Sequence, residues 1–492
     1  MASAQQTAWL PDLLYTGGRF EPDLALVFDG SGHISEIKRA DELADYALVH
    51  LKNRALLPGL VNAHSHAFQR VIRGRTEYRV STHDSFWTWR EMMYAAASQL
   101  TPEDVYDASR MAFLEMAEGG ITAVGEFHYL HHSPDGTPYA DANEMAIEVV
   151  RAALDTGLRI ALLRVAYARS GFQIPPNPRQ ARFIEPDAET YLTRLDALRT
   201  HLAAQEATTR IQGTNDGEQL PAGAWAGVAP HSTRAVPLTD LRAINDYAAR
   251  HGLPVHMHVS EQPAENTACV AEYSRPPVTL LADEGLLHER FTAVHAVHVT
   301  IAEARALAAA RSIVCACPTT ERNLGDGVVP ADLFFDAGVR VSLGTDSHTQ
   351  IDLMEDAREL EYHLRLQKLE RAVLAQSGNQ SGEETGTDDS PLPALAARLF
   401  DCATRHGAAS IGAPGGKLTA NGAADFFTVD LNDPSIAGAS ADDLLPAMVF
   451  SLARTAIRDV FVGGEPIVAD GRHPAREEIV RRFAALQRRL WV

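Results

Sequence analysis

Between two flanks of short extended pieces, the chain passes through eight apolar segments of strand length, each followed by a loop and a stretch of helical periodicity. They centre on 57–63, 123–127, 160–165, 226–229, 255–259, 292–295, 313–316 and 339–343. A strand that returns through a helix pairs in parallel with its predecessor, so this rhythm predicts a parallel sheet, and eight repeats predict a (β/α)8 barrel of the TIM type. One connecting helix shows the logic. Leu241, Ile244 and Ala248 fall on one face, Thr239 or Asp240 can cap the start, and Gly252 followed by Pro254 stops it.

The flanks have a different texture. Residues 24–28 and 47–51 read as strands between turns at Gly17-Gly18 and Asp29-Gly30, and 425–429 and 459–462 repeat the pattern before Gly463-Gly464. Both ends are therefore expected to build one small β-sandwich, from 1–56 and from 413–492 with its C-terminal helix, around a barrel at 57–412. Polar stretches at 205–221 and 376–391 break the rhythm and read as surface insertions.

Charge narrows the partners. The 492 residues carry 64 Asp and Glu against 44 Lys and Arg, a net charge of −20 that disfavours nucleic acid and anionic membrane. No apolar run approaches the roughly 20 residues of a membrane span, and Met1–Leu10 has no leader pattern. Cys269, Cys315, Cys317 and Cys402 form no CxxC pair, so the expectation is a reduced, cytoplasmic protein.

Chemistry concentrates where strands end. His64-Ser65-His66 follows the first apolar run, and residues two apart in a strand point to one side. An HxH alone is weak, but barrel active sites are built at C-terminal strand ends. His256-Met257-His258 closes the fifth strand and Gly344-Thr345-Asp346-Ser347-His348 the eighth. His64, His66, His258 and Asp346 thus make a candidate set of three imidazoles and one carboxylate, suited to a single zinc ion with room for water. His256 reads as a supporting or satisfied core histidine. The only lysines are Lys38, Lys52, Lys368 and Lys417; none can supply a carboxylated lysine at the end of strand four, which argues for one ion per subunit. Glu126 on strand two is read as a structural carboxylate or, less favoured, a bridge to a second ion.

Such an ion would activate water, with Asp346 accepting a proton, Glu261 shuttling one to a leaving nitrogen, and His295 at the end of strand six orienting the water. That suits loss of ammonia from a C=N carbon. The plainer reading of Glu261 is an acid complementing a helix N-terminus. Arg90, after strand one, and Arg234, in His231-Ser232-Thr233-Arg234 after strand four, suggest a small dianionic substrate, because guanidinium pairs bidentately with carboxylate; loop salt bridges are the alternative. Trp87, Trp89 and Met92-Met93 are candidates for a homodimer contact or for core packing.

The run Pro58-Gly59-Leu60-Val61-Asn62-Ala63-His64-Ser65-His66-Ala67-Phe68-Gln69-Arg70 resembles the amidohydrolase superfamily and, within it, the N-formimino-L-glutamate deiminases of histidine degradation. Gly125-Glu126-Phe127-His128-Tyr129-Leu130-His131-His132 and Cys317-Pro318-Thr319-Thr320-Glu321-Arg322-Asn323-Leu324-Gly325-Asp326-Gly327 are the more particular matches. The resemblance implies a mononuclear zinc enzyme that converts formiminoglutamate and water to N-formylglutamate and ammonia. It further implies that Arg234 with Tyr129 holds one carboxylate and Arg90 with Gln69 the other. His231 would face the reacting group, and Glu261, His295 and Asp346 would carry protons. The rivals are an imidazolonepropionase-like or guanine-deaminase-like enzyme, in which two unpaired arginines would be costly, and a non-catalytic barrel scaffold. The HxE and PCxxC signature of cytidine-type deaminases is missing.

Overall fold

The computed structural model describes residues 7–28, 30, 32–78, 86–212, 223–375 and 394–491. Eight parallel strands follow one another in chain order: Leu60–Ser65, Ile121–His128, Arg159–Ala166, Ala224–Pro230, Val255–Val259, Phe291–His295, Ile313–Ala316 and Arg340–Leu343. Apart from Trp225 and Arg340 every residue in them is buried. That is the condition of a strand packed on the barrel interior at one face and on helices at the other, and it explains their run-on Val, Ala, Ile and Leu composition.

The seam between the first and eighth strands closes at the residues singled out for chemistry. The His66 amide donates to the Asp346 carbonyl and the Asp346 amide to the His64 carbonyl, both at 3.0 Å. One turn deeper, Asn62 Nδ2 donates to Thr345 Oγ1 at 2.8 Å and Asn62 Oδ1 accepts from the Thr345 amide at 3.1 Å. A Cβ on Gly344 would lie 2.7 Å from His64 Cβ, so this close approach requires glycine.

The opposite end of the barrel is stopped by the short helix Arg405–Ile411. His406 Nδ1 bonds the Val341 carbonyl, the Trp225 indole donates to the Ile411 carbonyl, and Ser410 meets Thr292 and His256. A Cβ on Gly407 would sit 2.5 Å from the Val61 carbonyl oxygen. His256 is therefore a core histidine, its Nε2 2.9 Å from the Ser410 carbonyl and turned to the plug while its Nδ1 is buried without a partner.

Both termini form the small β domain as one mixed eight-stranded sheet. Thr7–Thr16 runs parallel to Ala47–Pro58, which is antiparallel to Phe426–Asp430. Alternation along Leu24–Phe28 supplies two faces: Leu26 and Phe28 pack with Leu14, Leu56, Phe426 and Phe461, while Ala25 and Val27 pack with Ala8 and Leu43. Leu57 and Pro58, expected to open the barrel, belong to this sheet; the chain changes sheet at Gly59, whose amide donates to the Asp425 carbonyl. Arg159 ties the two parts together through a bidentate bond to Asp425.

Two helices differ from expectation. Leu238–His251 begins after Pro237, without a side-chain cap, so Thr239 and Asp240 lie in its first turn; Gly252 ends it in the left-handed region at φ 64°, as expected. Ala188–Gln212 carries helix into the first part of the expected insertion at 205–221, up to Gln212, and 213–221 lies outside the described residues, as does 376–391. Among the described residues no helix is long and apolar enough to cross a membrane.

Candidate metal centre and substrate cleft

Donor atoms of His64, His66, His258 and Asp346 all lie within 4.8 Å of one another, in buried positions. His66 Nε2 and His64 Nε2 stand 3.2 and 3.5 Å from Asp346 Oδ1, and His258 Nε2 is 3.2 Å from His64 Nε2. Backbone carbonyls orient two of the rings: His66 Nδ1 lies 2.9 Å from the Phe127 carbonyl and His258 Nδ1 3.2 Å from that of His231. A carbonyl can only accept, so Nδ1 carries the proton and each Nε2 lone pair points to the shared centre. Burial, partly opposed by Asp346, lowers the His64 pKa to about 3, and burial holds His258 well below its ordinary value. Burial alone would raise the Asp346 carboxyl, but His64 and His66 hold it well below the carboxylate range. Three imidazoles and a carboxylate whose donor atoms converge in this way are a donor set that fits one divalent ion.

Asp346, His295 and Ser260 have left-handed φ values of 42°, 71° and 54°. Non-glycine residues adopt this region at a cost that surrounding structure must impose, and here it turns strand ends toward one point. His295 Nε2 reaches Glu261 at 3.7 Å and Asp346 Oδ2 at 3.8 Å, while its Nδ1 lies 3.1 Å from Glu321. Burial disfavours a charged ring, yet Glu261, Glu321 and Asp346 outweigh it and raise the His295 pKa well above normal. Glu261 lines the cleft; the acid in the first turn of the following helix, Pro263–Tyr273, is Glu265, whose carboxylate receives the Glu261 amide.

Above these groups lies a cleft of ≈ 530 Å³. It is lined by His66, His258, Asp346, Glu261, His295 and His231, and by Gln69, Tyr129, Arg90 and Arg234; His64 is fully buried beneath. The candidate metal donors, proton carriers and substrate-binding residues named from sequence thus lie together at one barrel mouth. Arg234 is buried with Nε and Nη1 lacking a hydrogen-bond partner. Burial pulls its pKa down, but Glu265, Tyr167 and Glu261 more than restore its charge. Arg90 lies over the Tyr94 ring, 5.5 Å from its centroid. Gln69 Nε2 donates to Tyr129 Oη at 2.7 Å, so these two residues, expected at opposite ends of a substrate, are joined to each other.

Glu126 takes the structural role. Its carboxyl accepts from Ser65 Oγ at 2.5 Å and from the Ala67 amide at 2.7 Å, fixing the chain around the two histidines, and it is not among the converging donors. Trp89 and Met93 face the cleft, and the Trp87 side chain lies outside the described residues. Sequence reading missed Tyr94, Tyr167, Phe183 and Leu324 on the cleft wall and Glu321 behind His295. Tyr167 directly follows the third strand and Tyr94 stands one helical turn after Arg90, so strand-end and i+4 rules would have found both. Phe183 sits in a long irregular loop with no period to reveal it.

A parallel eight-stranded barrel with this donor set at its strand ends defines a class, and residues 55–467 match the amidohydrolase family, to which the chain belongs. More particularly, the chain is 37% identical over 480 residues to the formimidoylglutamate deiminase of Pseudomonas aeruginosa, covering 97% of each sequence. The crystal structure of an amidohydrolase from Brucella melitensis superposes with a TM-score of 0.85 at 33% identity, covering 99% of this chain and 100% of that one. An adenosine deaminase from Xanthomonas campestris with bound zinc shares the fold, with a TM-score of 0.78 at 22% identity, covering 99% of this chain and 98% of that one.

Proposed function

We propose that this protein hydrolyses N-formimino-L-glutamate to N-formyl-L-glutamate and ammonia, holding one zinc ion per chain in His64, His66, His258 and Asp346. The observation that carries the reading is the charged, buried Arg234 facing the same cleft as the metal donors, with Arg90 beside it. A cleft built for a neutral purine would leave the buried Arg234 Nε and Nη1 donors, which have no hydrogen-bond partner in the protein, without the acceptors a carboxylate supplies. The likeness to the Pseudomonas enzyme supports the same substrate.

When bound, the ion supplies the Lewis acidity that makes water a nucleophile at neutral pH. The protein does the rest. Arg90 and Arg234 pair the two carboxylates and Gln69 and Tyr129 support them, which places the amidine carbon before His231 and the metal donors. Burial, reinforced by Arg234, keeps the His231 ring neutral, so it can orient the leaving group without adding charge. As the C–O bond forms, Glu261 takes one proton from water and passes it to the imine nitrogen; as the hydroxyl so formed becomes the carbonyl, Asp346 takes its proton and Glu261 relays it to the same nitrogen, which leaves as ammonia when the C–N bond breaks. Charged His295, held between Glu261 and Glu321, keeps the carboxylates in place. Four free, buried thiols agree with a reducing compartment, and a cytoplasmic homodimer completes the reading.

Turnover of formiminoglutamate in 18O-labelled water tests the proposal. It should yield N-formylglutamate carrying one labelled oxygen and one equivalent of ammonia. Ammonia released only from guanine, or ring opening of imidazolonepropionate in its place, would assign the site to another branch of the family.

A further inference from the structure

Gln180 is buried in the loop between the third strand and helix Ala188–Gln212, and its side-chain amide nitrogen lies 2.6 Å from Tyr94 Oη and 2.7 Å from Tyr167 Oη. Both tyrosines are buried and line the substrate cleft, Tyr94 beneath the Arg90 guanidinium and Tyr167 with its ring 4.6 Å from that of His231. These contacts can be counted proton by proton. The Gln180 NH2 group has two hydrogens and spends one on each phenolic oxygen. Each phenolic oxygen thus accepts one of these hydrogens, and among the described residues neither hydroxyl proton has an acceptor in the protein. Both protons are left to the cleft that the two rings line.

We infer that Gln180 locks Tyr94 and Tyr167 as hydrogen-bond donors, which together with Arg90 and Arg234 form a donor-only wall that accepts a carboxylate and rejects the isosteric carboxamide. A carboxylate presents only acceptors and satisfies such a wall, whereas a carboxamide must turn an NH2 group toward guanidinium or hydroxyl hydrogens. Gln180 touches no substrate atom and acts by setting the direction of two hydroxyl protons, so it is a positioning residue. The inference deepens the proposed function and rests on a dicarboxylate occupying this cleft.

The zinc-loaded protein provides the test, with glutarate and its monoamide glutaramate as calorimetric ligands independent of turnover. Wild type should prefer glutarate by about tenfold to a hundredfold, the range of one charge-assisted hydrogen bond. Q180E offers the tyrosines two acceptors in place of donors and turns their protons away from the cleft. It should lose most of that preference and raise KM for formiminoglutamate by about tenfold or more while kcat stays within about threefold. The isosteric Y94F/Y167F double variant, which keeps the rings and removes both hydroxyls, should reproduce the loss with zinc content near wild type, its melting temperature lowered by the stranded Gln180 amide. The double substitution is needed because either hydroxyl alone can rotate to donate. Wild-type preference for glutarate retained in both variants would overturn the inference, as would a Q180E protein indistinguishable from wild type, since that requires the amide oxygen to face the tyrosines already. Failure of the proposed function registers separately, as wild type that binds glutarate yet does not turn over formiminoglutamate.

Discussion

Glu261 stands 3.7 Å from a histidine that its own charge helps to keep protonated, in a cleft otherwise rich in donors. A group that carries a proton between water and a leaving nitrogen must ionise reversibly, which an amide of the same shape cannot. Glu261→Gln is expected to lower kcat by about 10²–10⁴ with metal content unchanged, measured by steady-state kinetics beside elemental analysis. Glu126 has the opposite character, a buried carboxyl that burial pushes up to about 7 despite the Ser65 and Ala67 donors. Its folded-state pKa lies above the ordinary 4.5, so any stability it lends is present below that value and is lost as pH rises toward about 7. Glu126→Gln cannot ionise. Relative to wild type, its melting temperature should therefore improve between about pH 4.5 and pH 7 and level off above that, and a constant offset across that range would refute the shift.

Among elements, the seam between the first and eighth strands matters most, because it is made by residues proposed to hold the ion. Asn62 is fully buried and satisfies both the Thr345 amide and its hydroxyl just below Asp346. Asn62→Ala would strand those groups and should cost about 1–3 kcal/mol in denaturant unfolding. Competition with a chelator should also show weaker metal binding, since Asp346 keeps its left-handed backbone only while the seam imposes it. A variant with lower stability but unchanged metal affinity would separate the two roles. At the other end of the same strands, the Arg405–Ile411 plug fills what would otherwise be an open mouth, and His256 serves packing there despite standing two residues from a candidate ligand.

For the whole molecule, convergence of four donors from three strands means that an ion bound there ties the barrel closed. Binding to the folded state alone adds stability by mass action, so exhaustive chelation should lower the melting temperature by several degrees and added zinc should restore it. No change on chelation would count against the donor set as a metal centre. The strand on which both domains depend, Ala47–Pro58, leads directly into the first barrel strand, and the Arg159 to Asp425 ion pair fastens the junction from the far side. The small sheet thereby anchors the strand that presents His64 and His66.

The eight strands, the flanking β segments and each strand-end candidate ligand were legible because they depend on local periodicity: side chains alternate along a strand and apolar runs mark its burial. Four residues at strand ends then suffice to nominate a metal centre, as barrel topology brings such ends together whatever lies between. What the tertiary structure alone decided involves pairings across the sequence. Glu321 behind His295, the Gln180 bridge between Tyr94 and Tyr167, and the contact of Gln69 with Tyr129 have no periodic signature. Each depends on loops of unlike length meeting over the barrel mouth, and a hydrogen bond is set by distances of tenths of an ångström that only the packed chain defines.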